Sequence, residues 1–177
     1  MNLPDRFETE RLLIQRLKYE DAEEIFYAYA SKAEATLHVS WPTHQQISDT
    51  KEYIAFAIQS WEVGLDFTFS LRRKEDHRLI GSIGAVNDNG KLQFGYIINP
   101  QWWNHGFATE ACKALIIQLI KIKTVFRIWT FVDAENLSSI AVLKKCGMIE
   151  EARLPLWYRF INQGDKPKDC ILFRYPF

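Results

Sequence analysis

A chain of 177 residues lies in the size range of one domain, and its 47% hydrophobic content supports a core and excludes disorder. Its 22 basic and 22 acidic residues cancel, which leaves no cationic excess for nucleic acid or an anionic membrane surface. Cys112, Cys146 and Cys170 stand far apart, odd in number and without metal-ligand spacing, so they read as buried thiols in a reducing compartment.

The opening Met1-Asn2-Leu3-Pro4-Asp5-Arg6 lacks the apolar core of a signal peptide, and no apolar run reaches membrane-spanning length. A cytoplasmic location is therefore expected. Thr9 to Leu17 alternates as a first strand, and Asp21 to Ala30 carries Ala22, Ile25, Phe26 and Tyr29 at helical spacing. A polar loop marked by Trp41-Pro42 follows. Ser48 is the expected cap of a second helix, Asp49 to Trp61, ended by Gly64. Strands are expected over 67–72 and 79–86. Asp88-Asn89-Gly90 predicts a tight hairpin into a fourth strand over 92–98.

Pro100 ends that strand, and a polar loop leads into the segment the rest of the chain is organised around. Ala108, Ala111, Cys112, Leu115, Leu119 and Ile122 recur with helical period, while Glu110, Lys113 and Lys121 fall on the other side. Strand, loop and helix start together form an anion-binding device. The first N–H groups of a helix lack internal partners, and its dipole adds positive potential there. Gly106 and Ala108 keep the loop slim enough for backbone to approach a ligand. A fifth strand is expected over 127–132. Asn136 then opens a helix from Leu137 to Cys146, stopped by Gly147. Two strands close the chain: Met148 to Tyr158, interrupted by Pro155, and Asp169 to Tyr175, joined by the turn Asn162-Gln163-Gly164-Asp165. With no repeat, linker or low-complexity segment, residues 1–177 read as a single mixed α/β domain.

Gly95-Tyr96, Asn99-Pro100, Trp103 and Gly106-x-Ala108-Thr109-Glu110-Ala111 resemble the GCN5-related N-acetyltransferase (GNAT) superfamily. The likeness is to the branch of ribosomal-protein N-terminal alanine/serine acetyltransferases. A second stretch, Asn136-x-x-Ser139-x-x-x-Leu143-x-Lys145-x-Gly147-Met148, resembles that family's downstream motif, with Met148 where phenylalanine is common. Two departures stand out: Asn104 replaces the first loop glycine, and Gln93 replaces a carboxylate.

The resemblance implies a predominantly antiparallel seven-stranded sheet, splayed between its fourth and fifth strands and flanked by about four helices, with acetyl-CoA in the splay. It implies that Trp103, Asn104, His105, Gly106, Phe107, Ala108 and Thr109 hold the diphosphate. A bulge on the fourth strand would free backbone groups near Ile97 and Ile98 for the pantetheine and the thioester carbonyl. Asn136 would bind the pantetheine arm, and Ser139 would protonate the leaving thiolate. Trp41 would wall the acceptor groove. The base position falls on Gln93, whose carboxamide takes no proton at neutral pH, which leaves Tyr158 or water as relay.

No metal is implied. The partners expected are acetyl-CoA and an amine, possibly a protein N-terminus, in a monomer or homodimer, with no direct nucleic-acid or membrane partner. A small-molecule acceptor (polyamine, amino acid or aminoglycoside) and a non-catalytic acyl-CoA-binding domain stay open. A dinucleotide-binding fold is excluded because no Gly-x-Gly-x-x-Gly follows the first strand.

Overall fold

The computed structural model describes residues 3–164 and 166–177. Met1 and Asn2 of the expected leader-free start, and Asp165 of the expected turn, lie outside the described residues. One sheet carries eight strands: β1 (Arg6–Glu8), β2 (Leu12–Arg16), β3 (Asp66–Arg73), β4 (Leu79–Asp88), β5 (Lys91–Ile98), β6 (Arg127–Asp133), β7 (Ile149–Tyr158) and β8 (Lys168–Arg174). Their order across the sheet is β1-β2-β3-β4-β5-β6-β8-β7. Every neighbouring pair is antiparallel except β5 with β6.

The eighth strand corrects the expected seven. Thr9-Glu10-Arg11 is a turn rather than the start of a strand. The Thr9 amide donates to the Leu12 carbonyl at 2.9 Å, and the Thr9 hydroxyl accepts from the Leu12 amide at 2.9 Å. This side-chain closure folds β1 back on β2 and leaves β1 a short edge, which limits its pairing with other chains.

The helices are α1 (Ala22–Ile25), which runs into a π turn over Phe26–Ala30, α2 (Ala33–Thr36), α3 (Ile47–Glu62), α4 (Phe107–Leu119) and α5 (Leu137–Lys145). α2 lies where a loop was expected. α3 starts two residues early: Gln46 caps it and the Asp49 carboxylate accepts from the Gln45 and Gln46 amides at 2.8 and 3.1 Å, so Ser48 lies inside the helix. These amides hold the Asp49 carboxyl below its ordinary value. Among the described residues, no helix is long and apolar enough to cross a membrane.

Side-chain alternation along the strands sorts the core into two layers. Phe69, Ile83, Phe94, Ile128 and Val132 pack with Ala111, Leu115 and Leu119 of α4 and Leu143 of α5. Leu17, Ile25, Tyr29, Ile54 and Leu79 form a second cluster, against which Trp41, Tyr53 and Ile97 pack. The buried Tyr29 hydroxyl meets Ser82 Oγ of β4 at 2.5 Å, so a polar side chain is satisfied inside this layer.

The hairpin between β4 and β5 is as expected. Asn89 and Gly90 take φ of 50° and 95°, the positive pair that a two-residue turn of this twist requires. The turn also docks on the chain entering β6, where the Phe126 amide donates to the Gly90 carbonyl at 3.0 Å. A Cβ on Gly90 would stand 2.3 Å from the Thr124 carbonyl oxygen. Gly90→Ala should therefore lower the urea midpoint at unchanged slope, with a loss of roughly 1–3 kcal/mol from strain and collision together.

Candidate active site

β5 and β6 pair over only three positions: Lys91 with Arg127, Leu92 with Ile128, and Gln93 with Trp129. β5 continues to Ile98 and β6 to Asp133, so beyond Gln93 and Trp129 the two strands part and a fork opens. The β4–β5 register runs unbroken from Gly81–Ile98 to Asp88–Lys91. No bulge interrupts β5 there, which corrects one expectation.

The Asn99 amide donates to the Ile80 carbonyl at 2.8 Å. In an antiparallel pair bonded and non-bonded positions alternate, so the backbone of Ile97 turns to Ser82 on β4, while Phe94, Tyr96 and Ile98 turn theirs into the fork. The Ile98 carbonyl there is taken by the Trp103 indole N–H at 2.8 Å. Open backbone toward the gap thus falls on Tyr96 and on the Ile98 amide rather than on Ile97. At the root of the fork the buried Trp129 Nε1 has no hydrogen-bond partner among the described residues. A buried donor left unpaired costs about 1–3 kcal/mol.

The end of β5 leads into the anion loop. Pro100–Trp102 form one 3-10 turn, anchored by Asn99 Oδ1, which accepts from the Gln101 amide and from Lys32 Nζ, each at 3.2 Å. Asn104 has φ 64° and Gly106 φ 81°. After glycine, asparagine is among the residues that enter the left-handed region most readily, so Asn104 keeps the turn that a glycine would have made. Gly106 caps α4, whose first bond runs from the Glu110 amide to the Gly106 carbonyl at 3.1 Å. The amides of Phe107, Ala108 and Thr109 have no partner inside the helix. Asn104, His105 and Gly106 are exposed, so this end of the helix is open. His105 shapes the loop: its Nδ1 sits 2.8 Å from the Trp103 carbonyl, and its ring stacks with Phe107 at 6.1 Å.

Three residues that sequence reasoning passed over hold this loop in place. Glu110 accepts from the Thr9 hydroxyl at 2.5 Å, the Arg11 amide at 3.0 Å and Arg11 Nε at 2.7 Å. Burial alone would raise its carboxyl; the bonds from Thr9 and Arg11 outweigh that and hold it low. Arg11 Nη1 donates to the His105 carbonyl at 3.0 Å, and its guanidinium lies 4.4 Å over the Phe107 ring. A cation is thereby fixed beside an anion-binding helix end. The signal was present in Thr9-Glu10-Arg11, but nothing in sequence placed it near residue 110.

The other wall of the fork is the junction from β6 into α5. Asn136 Oδ1 accepts from the Ser139 amide at 3.0 Å and caps the helix. Ser139 Oγ accepts from the Tyr96 hydroxyl at 3.0 Å. Two hydroxyls thus join the fork's walls on the α4–α5 face. Burial, the largest influence, pushes the Tyr96 hydroxyl far above its ordinary value, so it stays protonated as a donor. With its oxygen occupied as acceptor, Ser139 keeps its own proton to give away.

Gln93, Gly95 and Ile97 point to the opposite face of β5, and Trp129 stands beside Gln93 there. On that face Trp41 stacks on Tyr53 at 6.2 Å and lies 5.0 Å from the His44 ring. Tyr158, at the end of β7, packs against Phe131 of β6 at 5.1 Å and Phe160 at 5.0 Å. The structure thus brings Ser139, Asn136 and the loop 103–109 around the fork. It sets Gln93 at the root of the fork and gathers Trp41 and Tyr158 on the other face. Among the described residues no group of three or more His, Cys, Asp or Glu is placed to hold a metal.

A sheet forked beside an open helix end, with a hydroxyl pair across the gap, is the architecture of an acyl-carrier-dependent transferase. Residues 11–149 match the family described as Acetyltransferase (GNAT) domain, and the chain belongs to that family. It is an acetyltransferase, and acetyl-CoA is its cosubstrate. It is 29% identical to the uncharacterized N-acetyltransferase p20 of Bacillus licheniformis over 149 residues, 82% of this chain and 83% of the relative. Its fold is shared with the microcin C7 self-immunity acetyltransferase MccE, solved with acetyl-CoA and AMP, at TM-score 0.86, 17% identity and coverage of 96% and 94%. It is also shared with the ribosomal-protein-S5-alanine acetyltransferase of Vibrio fischeri, at TM-score 0.83, 20% identity and coverage of 96% and 94%.

The open amides of the loop and the fixed Arg11 suit a diphosphate. Gly106→Glu would put an anion on the helix end and a side chain at positive φ. It should weaken CoA binding by calorimetry by an order of magnitude or more, about 1.4 kcal/mol per tenfold.

Proposed function

We propose that the chain transfers the acetyl group of acetyl-CoA to the α-amine of a protein or peptide N-terminus. The Tyr96–Ser139 pair across the fork carries the transferase part of this reading, because it supplies a proton donor on one wall of the gap that a thioester would occupy. Acetyl-CoA brings an activated acetyl group with a thiolate leaving group. The amides from Trp103 to Ala108 anchor the diphosphate, and Asn136 contacts the arm while capping α5. The backbone of β5 that faces the fork donates to the carbonyl oxygen as charge develops there. Ser139 gives its proton to the departing sulfur, and Tyr96 reprotonates or polarises Ser139.

The acceptor is argued from Gln93. A carboxamide at the position nearest the root of the fork takes no proton, so no carboxylate there strips a charged lysine, and a base no stronger than an imidazole favours amines that are already partly neutral. An α-amine, with pKa ~7.7–8.0, is roughly a tenth or more neutral at pH 7, against about one molecule in 2,500 for a lysine at ~10.4. The fold likeness to a ribosomal-protein-S5-alanine acetyltransferase agrees with this choice.

Two measurements check the reading. Ser139→Ala should lower kcat by ~10²–10⁴-fold and leave CoA affinity nearly unchanged. Tyr96→Phe should give a smaller drop, and because burial keeps Tyr96 protonated, wild-type kcat should show no basic limb from it up to about pH 10. For the acceptor, two peptides of one sequence are compared at pH 7, one with a free N-terminus and blocked lysine, the other the reverse. Faster acetylation of the free N-terminus is expected; a faster lysine peptide, or turnover of polyamines alone, refutes the N-terminal assignment.

A further inference from the structure

The segment from Lys32 through α2 to Trp41 crosses the mouth of the fork on the face away from Ser139. On the β5 side, Lys32 bonds Asn99, while Ala35 and Trp41 pack on the cluster that also receives Ile97. On the β6 side, His38 Nδ1 lies 2.9 Å from Asp133 Oδ2. Asn162 locks the crossing, accepting from the Thr43 amide at 3.0 Å and donating to the Thr36 and Trp41 carbonyls at 2.7 and 2.9 Å.

Asp133 is buried, and its other bonds are fully assigned. Oδ1 accepts from the Glu135 amide at 2.9 Å, and Oδ2 accepts from Gln163 Nε2 at 2.8 Å as well as meeting His38. Burial works to raise this carboxyl, but the Glu135, Gln163 and His38 bonds outweigh it and keep the group ionised. An ionised carboxylate only accepts, so Nδ1 of His38 is the donor, and in the neutral imidazole that leaves the lone pair on Nε2. Gln163 Nε2, 3.0 Å from Nδ1, is likewise a donor and cannot supply that proton's acceptor. The ring is further held at 6.4 Å from Phe160, edge to face. About a quarter of the His38 side chain is open to solvent.

We infer that His38 is the general base of the transfer, oriented by Asp133 and Gln163, and that it takes over the task that Gln93 cannot perform. The inference rests on the amine-acetylation reading and deepens it. The amine nitrogen bonds to the thioester carbon, the C–S bond breaks with its electron pair left on sulfur, the nitrogen's proton passes to His38 Nε2, and sulfur takes the Ser139 proton. The β6–α5 junction then serves both faces. Asp133 orients the base, and three residues later Asn136 caps the helix that presents the acid. The charged and titratable groups around His38 are Asp133 in contact, Glu135 ion-paired with Lys168, the Cys170 thiol and Asp169 beyond Asp133, and Tyr158 and Arg159 flanking Phe160.

His38→Gln keeps a donor for Asp133 but accepts no proton, and Asp133→Asn keeps the shape but removes the charge. With acetyl-CoA and a free-N-terminus peptide at pH 7, His38→Gln should lower kcat/KM by ~10²–10⁴-fold, with CoA affinity by calorimetry and Tm unchanged. The loss should shrink as pH rises toward 10, where the peptide amine is neutral without help, and added imidazole should restore part of the rate in His38→Ala. Asp133→Asn should fall between wild type and His38→Gln. Wild-type rate in His38→Gln, or a loss that stays constant with pH and comes with weaker CoA binding, overturns the base. Wild-type protein that binds acetyl-CoA yet acetylates neither peptides nor polyamines overturns the acetylation reading itself, and the base with it.

Discussion

The rest of the structure depends on a loss of hydrogen bonding between two adjacent parallel strands. β5 and β6 share a ladder only from Lys91–Arg127 to Gln93–Trp129, and then diverge. A sheet normally satisfies every inner backbone group, so each unpaired rung inside one is a cost that another partner must offset. Part of that need is met internally by the Trp103 indole on the Ile98 carbonyl. The remainder faces the gap, where a polar, extended arm finds strand-like partners.

Both walls of the gap are stiffened from outside. The α4 start is tied to the first hairpin through Glu110, Thr9 and Arg11, so the anion-binding end cannot drift relative to the sheet. The α5 start is set by Asn136 and by Asp133, whose backbone carbonyl also accepts from the Asn136 amide at 2.9 Å. Behind the gap, Cys146 Sγ lies 3.6 Å from the Thr109 carbonyl and the buried Cys112 stands nearby, so the two helices pack thiol to helix under Tyr96. Burial pushes the Cys112 thiol up, as suits an inert core residue.

The two faces of the fork divide the chemistry. The α4–α5 face holds the partly buried Tyr96–Ser139 hydroxyl pair, which suits donation. The other face holds an ionised carboxylate, an imidazole and aromatic walls, which suit reception of a proton and of an apolar-flanked amine. In the proposed transfer this separation keeps acid and base apart at a single pH.

The local features were legible in the sequence because their physics is local. Asn89-Gly90 demands one turn, Asn136 caps the residue three ahead, Gly106 starts a helix, and Pro155 breaks a strand: the β7–β8 register slips between Leu154 and Tyr158, with Leu156 at φ 48°. Asn104 read as a departure only because its conformation was not visible; at φ 64° it does a glycine's task. β1 escaped notice because a three-residue edge strand has too few positions to show alternation. The pairings Arg11 with Glu110, Tyr96 with Ser139 and His38 with Asp133 span 99, 43 and 95 residues. No propensity or spacing encodes such meetings; they arise when the sheet order brings β5 beside β6 and the α2 segment across both. The sequence by itself determined seven of the eight strands, the longer helices, the Asn136 cap and the loop that starts α4. Only the tertiary structure decided which hydroxyl meets which, where the backbone of β5 lies open, and which histidine faces a buried carboxylate, because those depend on strand register and on contacts made after the chain has closed on itself.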